Sequence, residues 1–223
     1  MNSWLIFLME VLTLVTLIYP LVYPDNKNYC LGIKNTVKRA FALSLTPLML
    51  LVIEEMQNSS NTALTELNTS NLKVVAQFDK YSIFFVSVAL LISWSILEFS
   101  LWYMKNDPKI NTFFKFLLLF LLAMILLIFA NNLFLLFLGW EGVGLMSFML
   151  IGWYYSRSNV ATAALQAVIY NRLGDMGFFV AFCWLMINMR TTDLPEILTM
   201  SPPLIILIGF ILAAASKSAQ FGL

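Results

Sequence analysis

Apolar stretches of membrane-spanning length recur along the chain and limit what it can fold into. A helix of about 20 apolar residues crosses the ~30 Å hydrocarbon core of a bilayer. Of the 223 residues, 61% are hydrophobic and only 11% are Asp, Glu, Lys or Arg, whereas soluble domains are nearer half apolar and a quarter charged. So few polar groups do not cover a water-soluble fold. We therefore predict an all-α, polytopic bundle of transmembrane helices.

About seven segments fit such helices, and they predict a single membrane domain over 1–223. The predicted spans are 3–23, 38–53, 81–104, 112–130, 133–155, 165–189 and 203–223. The stretch 54–80 is rich in Asn, Ser and Thr and is predicted as a polar loop. The first span carries Glu10 and lacks a basic start and a small-residue cleavage site, so we interpret it as a span rather than a signal peptide.

Lysine and arginine are shared unevenly between the two sides of the predicted bundle. The loops after odd-numbered spans hold Lys27, Lys34, Lys38, Arg39, Lys105, Lys109, Lys115 and Arg157. The loops after even-numbered spans hold only Lys73, Lys80 and Arg190. Because cationic loops stay on the inner side of a membrane, this bias predicts that the N-terminus faces the outer side.

Several classes of function are disfavoured by composition. The net charge of +1 offers no basic surface for nucleic acid. The chain has no histidine, and its two cysteines, Cys30 and Cys183, lie far apart in the sequence. It contains neither a GxGxxG nor a Walker-type loop. We therefore expect no metal, redox cofactor or nucleotide in this chain.

Charged residues inside the predicted spans are the candidate functional residues. A charge at the bilayer centre costs on the order of 3 kcal/mol on insertion scales, so each one needs a physical explanation. Six residues qualify: Glu10, Glu98, Glu141, Arg172, Asp175 and Lys217.

Glu141 and Lys217 are the predicted proton-translocation pair. Glu141 lies near the middle of the fifth span among Gly139, Gly142 and Gly144, which leave room for close helices or for water. Lys217 lies among small residues of the seventh span. A lysine whose carboxylate partner moves or changes charge can load and release a proton. The alternative is that Glu141 only pins two helices together.

The other intramembrane charges have weaker functional indications. Arg172 and Asp175 stand three residues apart on the sixth span and can pair. Either Arg172 keeps nearby carboxylates ionised, or the pair is structural. For Glu10 and Glu98, helix packing is the favoured interpretation.

Several motifs resemble the antiporter-like subunits of respiratory complex I, and specifically the mitochondrial NADH dehydrogenase subunit 5 family. The resemblance covers most of the chain from about residue 75. The motifs are WSILEFSLWYM at 94–104, NNLF at 131–134, GWEGVGLMS at 139–147, ATAALQA at 161–167, YNRLGD at 170–175 and AAASKSAQ at 213–220.

This resemblance implies a proton-translocating membrane-arm subunit of NADH:ubiquinone oxidoreductase, with an antiporter-like fold of which only the N-terminal half is present. Glu141 and Lys217 would be the paired charges of a half-channel, with Arg172 and Asp175 in support. NADH, FMN, iron–sulfur clusters and ubiquinone are expected in other subunits. The implied location is the mitochondrial inner membrane, with the N-terminus toward the intermembrane space.

The implied partners are other membrane-arm subunits and membrane lipids. Members of the family continue well past the place of Leu223. We therefore expect either a second chain that completes the subunit or a truncated form. Two other classes remain open. One is a subunit of a multi-subunit cation/proton antiporter, and the other is a purely structural membrane subunit with satisfied ion pairs.

Overall fold

Seven α-helices make up most of the described chain. The computed structural model describes residues 2–22, 29–57, 63–69, 72–189, 194, 197 and 203–218. The helices are α1 Asn2–Val22, α2 Tyr29–Gln57, α3 Lys80–Tyr103, α4 Ile110–Ile128, α5 Leu133–Ile151, α6 Ser158–Met189 and α7 Leu204–Lys217. The prediction of an all-α bundle is confirmed.

Five helices in the described part of the chain, α1 to α5, are long and apolar enough to cross a membrane. Helix α6 has 32 residues, or ~48 Å at the usual helix rise, and it contains the polar residues Gln166, Asn171, Arg172 and Asp175. Helix α7 is apolar and has 14 residues. Residues 219–223 of the predicted seventh span lie outside the described residues, as do Lys27 and Arg190 of the charge bias.

Helix α2 is much longer than the predicted span 38–53, because cations at its start have partners on α3. It begins at Tyr29 and ends at Gln57. Lys34 Nζ lies 3.1 Å from Glu98 Oε2, and one turn later Lys38 Nζ lies 5.3 Å from the centre of the Trp94 ring. Both contacts stabilise a charge against a neighbouring helix, so these lysines continue a helix instead of ending it.

The predicted polar loop 54–80 contains a β-hairpin, which the prediction missed. Strands β1 Ala63–Thr69 and β2 Leu72–Phe78 pair antiparallel, with Ala63 opposite Phe78 and Thr69 opposite Leu72. The sequence LKVVAQF of β2 has adjacent valines, which favour an extended backbone. Polar composition indicates a segment outside the membrane spans, but it does not distinguish an irregular loop from a β-hairpin.

Consecutive helices form the most extensive contacts, notably α1 with α2, α2 with α3, α4 with α5 and α6 with α7. One buried cluster joins α1 to α4 through Leu17, Ile33, Leu90 and Leu118. A second cluster joins α5 to α7. It contains Leu133, Phe178, Ala181, Ile206 and Ala213.

The turn between α4 and α5 sets the start of the helix that carries Glu141. The Asn132 side chain accepts a hydrogen bond of 2.8 Å from the backbone N–H of Phe134, as a helix N-cap does. Further along, a Cβ on Gly139 would lie 2.9 Å from the backbone of Leu127. Glycine at that position therefore lets α5 pack directly against the backbone of α4.

Asp107 joins the two loops at the end of the bundle where α3 meets α4 and α5 meets α6. Its Oδ1 accepts a hydrogen bond of 2.8 Å from the backbone N–H of Lys109. Its Oδ2 accepts one of 3.0 Å from the Trp153 indole. Both hydrogen bonds lower the pKa of Asp107 below its usual value, and the bond from Trp153 has the larger effect. Burial, and then a hydrogen bond to Asp107, raise the pKa of Tyr154, which stays neutral at ordinary pH.

We expect Asp107→Asn to destabilise the protein at neutral pH. The difference in stability between wild type and variant should become smaller in acid. The folded-state pKa of Asp107 is lowered, so its stabilising contribution is present above the unfolded pKa of ~4 and is lost as the pH falls through the folded pKa. The measurement is the unfolding midpoint of wild type and variant in detergent across that range, with Lys105→Gln as a control. A difference that does not change with pH would contradict the role of the carboxylate.

Candidate functional site

Three helices bring four of the six predicted intramembrane charges together. Helix α5 carries Glu141, α6 carries Arg172 and Asp175, and α7 carries Lys217 at its end. The neighbouring indole of Trp140 lies among them. Helix packing thus brings together residues that are up to 76 positions apart in the sequence, Glu141 and Lys217 at the two extremes.

The centre of the site is an ion pair between α5 and α6. Arg172 Nη1 lies 2.8 Å from Glu141 Oε1 and donates a hydrogen bond to it. The same nitrogen lies 3.8 Å from Asp175 Oδ2. The guanidinium is therefore shared between two carboxylates, with the closer contact to Glu141.

Asp175 is the buried carboxylate of the site, and an indole holds it in place. Its residue is 9% exposed, and its Oδ1 accepts a hydrogen bond of 2.9 Å from Trp140 Nε1. One oxygen of Asp175 thus faces Arg172 and the other faces Trp140. A buried carboxylate requires compensation of this kind, because an unpaired charge is costly away from water.

Lys217 does not pair with Glu141 in this structure, contrary to the predicted pairing. Its Nζ donates a hydrogen bond of 3.0 Å to the backbone carbonyl of Trp140 and lies 5.1 Å from the centre of the Trp140 ring. Within the described residues, no carboxylate oxygen lies within 4.0 Å of this nitrogen. The reason is that Glu141 is already paired with Arg172, while Trp140 offers the Lys217 ammonium both a carbonyl oxygen and an aromatic face.

Gly144 makes room for Lys217 beside α5. A Cβ at Gly144 would lie 3.3 Å from Lys217 Nζ and 3.9 Å from Asn171 Nδ2. Alanine at this position would shift the ammonium group by a few tenths of an ångström, and a longer side chain would displace it. The glycine-rich surroundings of Glu141 thus accommodate the lysine of another helix.

A small open cavity borders the ion pair. Its volume is about 190 Å³, and its polar lining is formed by Glu141, Asn171, Arg172 and Asp175. A cavity of this size that has polar groups in its lining has room for several water molecules. Water at Glu141 is what proton exchange with the carboxylate requires.

The site is incompletely covered by the described helices. The Arg172 side chain is 58% exposed and that of Glu141 is 25% exposed. Exposed charges in contact with hydrocarbon would be costly. This face of α5 and α6 is therefore expected to lie against protein or water and not against lipid tails.

The two remaining intramembrane acids lie elsewhere. Glu98 pairs with Lys34, as described above. Glu10 is fully buried, with its neighbour Thr13 donating a hydrogen bond of 3.4 Å to its Oε2. Neither residue contributes to the α5–α7 site. Helix packing stays the favoured interpretation of both residues.

The residues that could bind a metal are not clustered. Among the described residues, no group of three or more His, Cys, Asp or Glu side chains is arranged to hold a metal ion. Cys30 and Cys183 are not joined in a disulfide, and Cys30 Sγ donates a hydrogen bond of 2.8 Å to Asn111 Oδ1.

Trp140 is the contributor that sequence reasoning missed. A tryptophan deep in an apolar span is typical of helix packing, yet Trp140 contacts both Asp175 and Lys217. A buried indole N–H needs a hydrogen-bond acceptor. The position of Trp140 directly before Glu141 was the available signal that such acceptors lie close to it.

Two family models match the chain. Residues 130–223 match the transmembrane family described as NADH:quinone oxidoreductase/Mrp antiporter. Residues 64–114 match the family described as NADH-ubiquinone oxidoreductase (complex I), chain 5 N-terminus. The first match contains all four charged residues of the site.

Curated relatives named NADH-ubiquinone oxidoreductase chain 5 are similar over most of this chain. That of Bos indicus is 50% identical over 88% of this chain and 33% of the relative. That of Pongo abelii is 47% identical over 96% of this chain and 37% of the relative. That of Canis lupus is 45% identical over 100% of this chain and 37% of the relative. The chain thus spans about a third of the length of these relatives.

A solved structure shows the same fold at low sequence identity. The membrane-bound sulfane sulfur reductase, an archaeal respiratory membrane complex, contains a chain that superposes with a TM-score of 0.65 at 19% identity. The match covers 94% of this chain and 33% of the other. The identity with the curated relatives and the two family matches agree with one another and with the motifs of the sequence. The chain belongs to the NADH-ubiquinone oxidoreductase chain 5 family and matches its N-terminal region.

Proposed function

We propose that this chain is the N-terminal part of a proton-translocating membrane-arm subunit of NADH:ubiquinone oxidoreductase. The observation that carries this proposal is the charge cluster of α5–α7, in which Arg172 bridges Glu141 and Asp175 while Lys217 rests on Trp140. The family membership given above supports the assignment to complex I.

Proton transfer in this proposal depends on exchange of the Arg172 guanidinium between two acids. Arg172 Nη1 is 2.8 Å from Glu141 and 3.8 Å from Asp175. A shift of about 1 Å toward Asp175 releases Glu141 to take a proton from water in the adjoining cavity. When Glu141, Asp175, Arg172 and Lys217 are all ionised, their charges sum to zero. A proton added to the site gives it a net positive charge, which favours release of a proton from Lys217 or Glu141.

Lys217 is the second proton-carrying group in this proposal. In the state described here its ammonium is held by the Trp140 carbonyl. When Arg172 moves to Asp175, Glu141 becomes available as a partner for Lys217. The expected pair of Glu141 and Lys217 is then an alternative state of the site, with Gly144 leaving the path between them open.

The oxidation of NADH and the reduction of ubiquinone are assigned to other subunits, so this chain acts in the enzyme through charge movement alone. Its partners in this proposal are other membrane-arm subunits, including protein that covers the exposed Arg172. The proposed location is the mitochondrial inner membrane. The cations of the α3–α4 and α5–α6 loops, Lys105, Lys109 and Arg157, support an N-terminus toward the intermembrane space.

A cation/proton antiporter subunit is the second candidate. The family match over residues 130–223 has a description that includes the Mrp antiporter, and the same charge cluster would serve either protein. The match of residues 64–114 to a chain 5 N-terminus favours complex I.

Isolation of the native assembly tests the proposal. Membranes are solubilised gently, the assembly that holds this chain is purified, and every polypeptide is identified by mass spectrometry. We expect NADH-oxidising subunits and a polypeptide carrying the rest of the chain 5 sequence, either in the same chain or in a second one. If this chain were recovered with antiporter subunits alone, the complex I assignment would be contradicted. The charge cluster would then belong to the ion path of a transporter.

A further inference from the structure

A pocket with mixed polar and aromatic walls lies where the α3–α4 loop meets the end of α5. We call it the interfacial pocket. It has a volume of about 350 Å³, and its walls include Asp107, Lys109, Phe116, Met149, Trp153 and Tyr154. Aromatic side chains in this mixture are typical of the headgroup level of a bilayer. The pocket therefore lies at the boundary between the bundle and a membrane surface.

Two cations, Lys109 and Arg157, lie at the rim of the interfacial pocket. Lys109 lines the pocket, and the Arg157 guanidinium lies 5.7 Å from the centre of the Tyr154 ring, another lining residue. Neither cation forms an ion pair within 4.0 Å among the described residues. The carboxylate of the pocket, Asp107, directs its oxygens to the Lys109 backbone and to Trp153. An anion is the ligand that complements this arrangement.

A long apolar groove lies further along α4 than the interfacial pocket. The groove lies between α3 and α4, has a volume of about 540 Å³ and is almost wholly apolar apart from Ser93. Leu117 and Leu150 line the groove, and their chain neighbours Phe116 and Met149 line the pocket. Along α4, the distance from Phe116 to Ile128 is ~18 Å. This length slightly exceeds half of the ~30 Å hydrocarbon thickness, which is the depth that an acyl chain reaches.

We propose that the interfacial pocket and the groove together bind one anionic phospholipid. Its phosphate lies between Lys109 and Arg157, and an acyl chain follows the α3–α4 groove past Leu117 and Met124. The cationic loops of this end of the bundle favour the leaflet that is richer in anionic lipid. Lys109 and Arg157 outnumber the single carboxylate of Asp107, so one positive charge is left to balance. A phosphate group at the membrane surface with an attached acyl chain fits both this charge and the apolar groove.

The test uses the intact assembly that contains this chain, purified and exchanged into phosphatidylcholine bilayers with or without equimolar phosphatidylglycerol. Retained phospholipid is counted by native mass spectrometry after the bilayer is removed. We expect wild type to retain phosphatidylglycerol in preference to phosphatidylcholine. Each cation near a membrane surface contributes about fivefold, so the double variant Lys109→Gln/Arg157→Gln should weaken the preference about 25-fold.

Lys115→Gln is the control, because it makes the same chemical change at the same end of α4 but outside the pocket. Lys115 Nζ lies 5.1 Å from the centre of the Tyr29 ring and lines neither cavity. We expect this variant to retain phosphatidylglycerol as wild type does. An equal loss in control and double variant would overturn the proposal, because it would reflect surface charge in general. Absence of any preference in wild type would overturn it as well.

A photo-reactive residue at Ile92, in the wall of the groove, tests the occupant independently of charge. We expect the cross-linked product in native membranes to carry the mass of a phospholipid. A product that carries a polypeptide would show that a partner subunit covers the groove and would overturn the proposal. Val88→Phe, which narrows the same groove, should lower retention of phosphatidylglycerol while leaving the loop cations intact. Unchanged retention in this variant would exclude the groove as the acyl-chain site.

Discussion

Glu141→Gln is expected to reduce NADH-driven proton uptake by the assembled complex by on the order of tenfold or more. Glutamine keeps the size of the side chain and an oxygen that accepts the Arg172 hydrogen bond of 2.8 Å. It carries no charge and does not take up a proton. Loss of transport with normal assembly would therefore identify the proton-carrying property of Glu141, separately from its contact with α6. The measurement is proton uptake into vesicles per NADH oxidised.

Glu98→Gln is the control for that experiment. It makes the same chemical change in another helix, where Glu98 pairs with Lys34 at 3.1 Å and lies outside the α5–α7 site. We expect this variant to assemble and to transport protons as wild type does. If Glu141→Gln also transported normally while assembling in normal amount, Glu141 would be a structural ion-pair residue and the proposed proton path would be wrong.

The composition of the site was predictable from sequence, but its pairing was not. Charges inside apolar spans are costly, so Glu141, Arg172, Asp175 and Lys217 could be expected to meet inside a bundle. Which cation faces which carboxylate depends on how each helix is rotated about its axis. Charge alone favoured Lys217 for Glu141, whereas the packing of α6 placed Arg172 there.

Helix ends show the same limit of sequence reasoning. Hydropathy located the apolar part of α2, but the helix extends to Tyr29 because Lys34 and Lys38 contact Glu98 and Trp94 of α3. These contacts come from tertiary structure and leave no periodic signal in α2 itself. The hairpin within the predicted loop 54–80 was missed for a related reason, because cross-strand pairing is a property of two segments together.

The position of Lys217 depends on how closely α6 and α7 approach. A Cβ on Gly209 would lie 2.6 Å from the Gly177 carbonyl oxygen, and one on Gly177 would lie 2.8 Å from the Gly209 carbonyl oxygen. One turn nearer the site, a Cβ on Gly174 would overlap the Ser216 side chain. The two helices are thus in backbone contact, as small residues in membrane helices allow. The last turn of α7, which carries Lys217, is held in place by this contact.

Gly209→Ala is therefore expected to destabilise the protein and to displace Lys217 from the Trp140 carbonyl. The added methyl group meets backbone atoms that have no rotamer to relieve the clash, and overpacking of this kind costs about 1–3 kcal/mol. Gly32→Ala is the matched control, because nothing lies within 4 Å of a Cβ at that helical position and alanine gains up to ~1 kcal/mol of helix propensity there. Unfolding in mixed micelles with increasing SDS should show Gly209→Ala below wild type and Gly32→Ala at or above it. If both variants were as stable as wild type, the close packing of α6 and α7 would not hold the site together, and the position of Lys217 would need another cause.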